Sequence, residues 1–408
     1  MHTAISAGDT AWVLVSCALV LMMTPALALF YGGMARRKNT LSTLTLSFVF
    51  MALIGVQWLL YGYTLAFGPD IGGFIGGLDF SGFRGVGAAP SADYGKTIPH
   101  SLFAAFQMMF AVITPALITG AFVERVRFKS FLLFSLGWAT LVYDPLCHWV
   151  WATGGWLARL GVLDFAGGAV VHIAAGFAAL AFALAIGPRK GFGKVPMEPH
   201  NIPLTVIGAG LLWVGWFGFN GGSALAANGV AVNALLTTNT SAAAAGLVWM
   251  LLSWLDGRPS TLGLVTGMVV GLAAVTPAAG YITPLAALVL GAVAAPIGYY
   301  GIRFRIRRQL DESMDVWPCH GLSSVWGMIA TGLFATTDVN PGGANGLFFG
   351  NPSQLAIQLL AIAATIIFVF VVTFTLAKLL DWSIGLRVTP MEEEVGLDIS
   401  SHGERAYS

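Results

Sequence analysis

Asp164-Phe-Ala-Gly-Gly-Ala-Val-Val-His172 and Asp315-Val-Trp-Pro-Cys-His320 each put one histidine inside a segment otherwise apolar enough to cross a bilayer. An ionisable side chain is expensive to hold there, so such a histidine marks a functional site by default. Composition argues for the same solvent. Of 408 residues, 57% are hydrophobic and 10% charged, and mean hydropathy is +0.79. Apolar runs of about 20 residues separated by short polar connections are the pattern of a polytopic helical membrane protein. The 51 glycines fit that reading, because small residues let membrane helices approach closely. Cys17, Cys147 and Cys319 are odd in number and lie in or beside apolar spans, so no disulfide framework is expected. A net charge of +1 argues against a nucleic-acid partner.

Working outward, eleven spans are expected, near 10–33, 41–67, 100–122, 130–150, 164–186, 203–224, 229–254, 260–278, 281–301, 313–336 and 353–382. The first ten residues lack a basic stretch and the run from Ala11 has no small-residue cleavage site, so the first span reads as permanent. The glycine-rich stretch from Pro69 to Pro99 reads as an extramembrane connector. Residues 1–382 form the expected transmembrane domain and 383–408 a cytoplasmic tail. Seventeen of the 20 lysines and arginines lie after odd-numbered spans, in the last span or in the tail, leaving only Arg84, Lys96 and Arg159 for the other side. That positive-inside bias predicts an external amino terminus and a cytoplasmic carboxyl terminus.

Orientation gives the histidines a depth. Span five runs eight residues from Asp164 at the outer face to His172, roughly 12 Å of helix. Span ten runs nine residues from Asp311 at the inner face to His320, roughly 13–14 Å. In a core about 30 Å thick they meet near the middle from opposite sides. Spans one to five and six to ten then form an inverted repeat with the site at its interface, and span eleven is additional.

Two buried imidazoles are expected to be neutral, facing each other so that one ring donates and the other accepts. They offer contacts to a small uncharged molecule or a route for a proton. For a bare metal ion they supply only two ligands, and no nearby cysteine or carboxylate completes a site. Axial ligation of a haem is the rival use, which a Soret band would reveal. A hydrolase is the weakest reading, because no serine or aspartate pair accompanies the histidines. Aromatic residues cluster toward the outer face: Phe106, Phe110, Trp151, Trp213, Trp216, Phe217 and Phe219, with Asn220 and Ser223. Such residues at a boundary ordinarily form an aromatic belt. With a hydroxyl acceptor and no carboxylate they also make a cage for a monovalent cation, at about 0.5–2 kcal/mol per cation–π contact.

Four motifs carry a resemblance: Asp164-Phe-Ala-Gly-Gly-Ala-Val-Val-His172-Ile, Gly215-Trp-Phe-Gly-Phe-Asn220-Gly-Gly-Ser223, Ala28-Leu-Phe-Tyr-Gly-Gly33 and Gly396-Leu-Asp-Ile-Ser-Ser-His-Gly-Glu404. Together they resemble the ammonium transporter family (Amt/MEP/Rh) over essentially the whole chain. The resemblance implies an all-α polytopic subunit of eleven helices, in a homotrimer with one hydrophobic pore per subunit, and no enzyme activity or cofactor. By motif position it implies ammonium recruitment by Phe106, Trp151 and Ser223, a gate of Phe110 and Phe219, and a pore histidine pair of His172 and His320. Asp164 matches an acidic position that the family needs, and an aspartate at a helix start braces backbone N–H groups. The tail matches a segment that contacts a PII-type nitrogen-regulatory protein; on composition alone, its acidic run at Glu392, Glu393 and Glu394 reads as disordered. The expected location is the bacterial inner membrane.

The implied mechanism is recognition of ammonium outside, deprotonation above the gate and passage of ammonia along the histidines. An ammonium sensor with the same fold is the alternative. Trp317, Pro318 and Cys319 stand where the family has smaller residues, and Pro318 is expected to kink its span. Asp144 stands where an apolar residue is expected, and Cys147 replaces a small one.

Overall fold

A bilayer core offers backbone N–H and C=O groups no partner, and a helix satisfies them all within one segment. The computed structural model describes residues 5–407, and it is an all-α polytopic membrane fold. Among the described residues nine helices are long and apolar enough to cross a membrane. They are α1 (Ala7–Met34), α2 (Arg37–Phe67), α3 (His100–Ala121), α4 (Phe128–Arg159, interrupted over 152–155), α5 (Gly168–Ile186), α6 (Ile202–Gly222), α7 (Gly229–Leu255), α9 (Pro284–Arg307) and α11 (Pro352–Ile384). Two shorter ones stand between them: α8 (Thr261–Val275), and α10, a π-helical turn Trp317–Leu322 that continues as Ser323–Phe334. Polarity runs inside out. Leu14 and Val15 of α1, Leu251 of α7 and Ile367 of α11 are exposed, whereas Asp144, Asp164, His172 and His320 are buried. Exposed apolar faces suit an apolar surrounding such as lipid.

Close packing rests on small residues. α1 lies mainly along α6, and a Cβ on Gly208 would stand 2.4 Å from the Phe30 nitrogen. Only glycine permits that approach.

One sequence expectation, the Pro318 kink, is corrected, and two segments are more ordered than composition alone suggests. The 69–99 connector is partly ordered as a hairpin, Asp70–Ile71 pairing antiparallel with Ile75–Gly76. It is pinned to α4 because the Asp70 carboxylate lies 2.9 Å from His148 Nε2, while His148 Nδ1 faces the Ala66 carbonyl at 2.9 Å. Pro318 makes no mid-span kink, because it falls in the first turn of α10, where a missing N–H costs nothing. Far from trailing off, the tail folds back as α12 (Pro390–Val395) and α13 (Leu397–His402). A capping box between Thr389 and Glu392 starts α12, the Asp398 carboxylate accepts from the Ser42 N–H at 2.8 Å, and Asn39 Oδ1 accepts from the Leu397 N–H at 2.8 Å.

At this basic end, opposite the hairpin, buried charges tie helix ends together. Glu124 accepts from the Arg36 backbone N–H and Nε, both at 2.7 Å, and pairs with Arg189 at 3.2 Å. Arg189 also grips Asp311 through its own backbone N–H at 2.6 Å and Nη2 at 2.8 Å. Burial alone would raise the Glu124 carboxyl, but Arg189 and Arg36 outweigh it and hold it below its ordinary value; burial is likewise outweighed at Asp311, by the Arg189 hydrogen bonds and Arg125. Depressed carboxylates contribute stability that is fully present above their unfolded values and lost as pH falls through the folded ones. The thermal midpoint in detergent is therefore expected to drop on acidification through the carboxylate range, and Glu124→Gln to flatten that drop. A Glu124→Gln profile as steep as the native one would contradict it.

Candidate functional site

Two acids and two glycines build the site. The Asp164 carboxylate accepts from the N–H groups of Gly167 (3.0 Å), Gly168 (2.5 Å), Ala169 (2.8 Å) and Val170 (3.2 Å), which satisfies the orphan donors of a helix start. Gly167 turns the chain into that start at φ 117°, a region where a Cβ is penalised. The π-helical turn Gly168–Ile173 follows and carries His172. α10 repeats the device: Glu312 accepts from the N–H groups of Val316 (2.6 Å) and Trp317 (2.9 Å), and the π-helical turn Trp317–Leu322 carries His320. Burial, with the Asp315 carboxylate adding to it, pushes the Glu312 carboxyl up to about 7. π-turns inside α-helices recur at functional sites.

α5 and α10 then touch backbone to backbone. A Cβ on Gly176 would stand 2.4 Å from both Cα and N of Gly321. This approach sets the imidazoles with centroids 5.2 Å apart and planes 20° from parallel. His172 is 1% exposed and His320 3%. The expected donor–acceptor pairing of the rings is not what the geometry gives. His172 is nearly parallel to Trp216 (5.4 Å) and Phe219 (5.8 Å) as well, so ring faces surround it. Both His172 nitrogens and His320 Nδ1 have no hydrogen-bond partner among the described residues.

Three cavities lie in series. At the hairpin end one of about 260 Å3 is lined by Trp151, Ser223, Phe110, Gln107, Phe165 and Asp93, among others. Next is a lumen of about 10 Å3 between Phe219, Trp216, His172 and His320, walled by Met23, Leu27, Ile113, Leu117, Leu212 and other apolar residues. At the basic end a cavity of about 250 Å3 is lined by His320, Cys319, Asp315, Tyr31 and Trp249. Phe110 and Phe219 separate the first two, with centroids 4.4 Å apart and tilted by 44°.

The sequence-predicted residues are thus largely brought together, with two displacements. Phe106 is fully buried behind Phe110, edge-on at 5.0 Å, and does not line the hairpin-end cavity. Trp216, grouped with the outer aromatics, lines the lumen instead, its indole donating to Thr276 Oγ1 at 2.9 Å. Trp151 donates its indole N–H to the Asp164 carbonyl at 2.9 Å, which joins the hairpin-end cavity to the start of α5. The Ser223 hydroxyl donates to the Phe219 carbonyl at 2.7 Å, leaving its lone pairs to accept. Asp144 is fully buried and accepts from Gln57 Nε2 at 2.7 Å; it lines none of the three cavities. Gln107, Asp93 and Met23 were not singled out from sequence. Phe106 with Phe110 on one helix face marks Gln107 beside them, but nothing local marks Met23.

The Ammonium Transporter Family model matches residues 11–407. Ammonium transporter Amt1 of Archaeoglobus fulgidus is 52% identical over 403 residues, covering 99% of this chain and 100% of that protein. The crystal structure of Candida albicans Mep2 superposes with a TM-score of 0.90 at 37% identity, covering 95% of this chain and 88% of that one. A sensor Amt protein superposes with a TM-score of 0.88 at 27% identity, covering 97% and 98%. Matches that span the chain from its first helix to its tail, on a fold centred on paired buried imidazoles, identify it as a member of the ammonium transporter family: an integral membrane transporter and not an enzyme.

Proposed function

We propose that the chain recruits ammonium at the hairpin-end cavity, deprotonates it above the aromatic gate and conducts ammonia past His172 and His320. The observation that carries this reading is the lumen: about 10 Å3, with no side-chain oxygen in its walls. An ammonium ion entering it must leave its water behind, and an unpaired charge at mid-membrane costs at least about 2.5–3.5 kcal/mol. A neutral ammonia avoids most of that. Trp151 offers its ring face to the cation and Ser223 an acceptor, with Phe106 backing Phe110. Phe110 and Phe219 form the gate. Asp164 acts by bracing the start of α5, as its four N–H contacts support. Potassium has no proton to give up and is excluded.

The finer architecture belongs to the same proposal. Eleven helices span the membrane, with α1–α5 and α6–α10 as inverted repeats and α11 added; the paired acid, π-turn and histidine of α5 and α10 support the repeat. Residues 1–382 are the transport domain and 383–408 a cytoplasmic tail. The amino terminus is external, the hairpin end faces outward, and the protein is a homotrimer of the bacterial inner membrane. A PII-type regulator docks at the basic end, where the folded tail offers it a surface.

A sensor with little flux is the second reading, favoured by the superposition on a sensor Amt protein. Proteoliposomes separate the two. Ammonium-driven internal alkalinisation is expected in the native protein, with no potassium current. His172→Ala and His320→Ala are each expected to lose most of that flux or to admit potassium. Tight ammonium binding without flux would establish the sensor, and unchanged selectivity in both single variants would remove the histidines from the mechanism.

A further inference from the structure

Asp164 has nothing to offer an arriving ion, because it is buried and spends both carboxylate oxygens on four backbone N–H groups. A second carboxylate stands where the first cannot reach. Asp93 is exposed and lines the hairpin-end cavity together with Gln107, Trp151 and Ser223. It is the one residue of that lining with a formal charge, and Arg84, Lys96 and Arg159 are not part of the lining. Local structure holds it at the mouth. Ser91 Oγ accepts from the backbone N–H groups of Asp93 and Tyr94, both at 3.2 Å. Tyr94 in turn stacks on Phe103 of α3, with centroids 5.0 Å apart and planes 7° from parallel, and its hydroxyl accepts from the Thr153 N–H at 3.1 Å. Gly95 closes the turn at φ 57°, where a Cβ would stand 2.8 Å from Ile98 Cγ1. Deeper along α3, Gln107 Oε1 is buried with no partner among the described residues. An ion drawn to the mouth therefore meets further acceptors, Gln107 and Ser223, before it meets the gate.

We infer that Asp93 is the cation-attracting residue of the recruitment site. A cleft lined by one sign of charge raises the local concentration of the opposite ion. Asp93 thereby enriches ammonium, with other small cations, at the mouth, and leaves discrimination among them to Trp151, Ser223 and the gate. The inference rests on the transport reading and deepens it at one step, capture, so its signature is in KM and in the response to salt.

The full chain in phosphatidylcholine vesicles, whose neutral surface adds no field of its own, is the test system, with ammonium chloride as the probe. Flux is compared at about 10 mM salt, where charges act over about 30 Å, and at about 1 M, where they act over about 3 Å. At the lower salt Asp93→Asn is expected to raise KM by about two- to fivefold, the effect of a unit charge roughly 4–8 Å away through water. The maximal rate and the thermal midpoint in detergent are expected to stay at their native values. At the higher salt the native KM is expected to rise to meet that of Asp93→Asn, and Asp93→Glu, which restores the charge, to keep the native KM at both. A KM unchanged by Asp93→Asn at low salt overturns the inference. So does a rise that persists at high salt, or one that Asp93→Glu shares, because a structural role of the loop predicts both. Should the native chain show no flux, the transport reading falls, and the calorimetric Kd for ammonium chloride, native against Asp93→Asn at the same two salt concentrations, judges Asp93 in its place. Equal Kd values at low salt, or no binding, overturn the inference there.

Discussion

Asp164→Ala is expected to strip most of the protein from the membrane fraction and to abolish ammonium flux in what remains. The carboxylate is the acceptor for four successive backbone N–H groups, of Gly167 to Val170, at a helix start buried from water. Each buried donor left without a partner costs about 1–3 kcal/mol. The four together rival the whole stability of an ordinary domain, about 5–15 kcal/mol. The same start fixes the π-turn bearing His172 and receives the Trp151 indole, so the lumen and the hairpin-end cavity fail together. Asp164→Asn keeps one acceptor oxygen and turns an N–H group toward backbone donors, so an intermediate loss of thermal stability in detergent is expected. The measurement also separates two roles. If Asp164 served only to attract cations, Asp164→Asn would raise KM and leave the thermal midpoint alone.

The second large effect is expected at Gly176. Its missing Cβ would lie 2.4 Å from two backbone atoms of Gly321, and backbone cannot rotate away as a side-chain tip can. Gly176→Ala must push α5 from α10, at a cost of about 1–3 kcal/mol or more for overpacking. Gly321→Ala is milder, since its Cβ would meet Trp317 Cδ1 at 3.2 Å and Gly176 Cα at 3.3 Å. The expected outcome is a folded Gly176→Ala protein with most ammonium flux lost, and a Gly321→Ala protein with part of it kept. Equal flux in both, or the reverse order, would show that this contact does not set the histidine spacing.

The long helices were legible in the sequence because solvent leaves so simple a mark on composition. Depth counting brought His172 and His320 together from opposite faces of the membrane, since helical rise converts residue number into distance. Ring orientation was not legible: it depends on Trp216 and Phe219 crowding His172, and Trp216 lines the lumen and not the hairpin-end cavity. Pro318 misled for a related reason. The rule that proline kinks a helix applies to interiors, and whether residue 318 is interior depends on Glu312 ending the loop where it does. Composition alone does not reveal the order of the tail, because its partners, such as the Asn39 side chain and the Ser42 amide on α2, are far away in sequence. Met23 carries no local signal at all, because any apolar helix contains such residues.

The narrowness of the lumen has a consequence for the organism. If, as proposed, ammonia alone passes the lumen, it brings no accompanying electrolyte. With the proton left outside, such a protein would be tolerated in quantity without short-circuiting the membrane voltage, and scarcity of nitrogen could be met by making more of it.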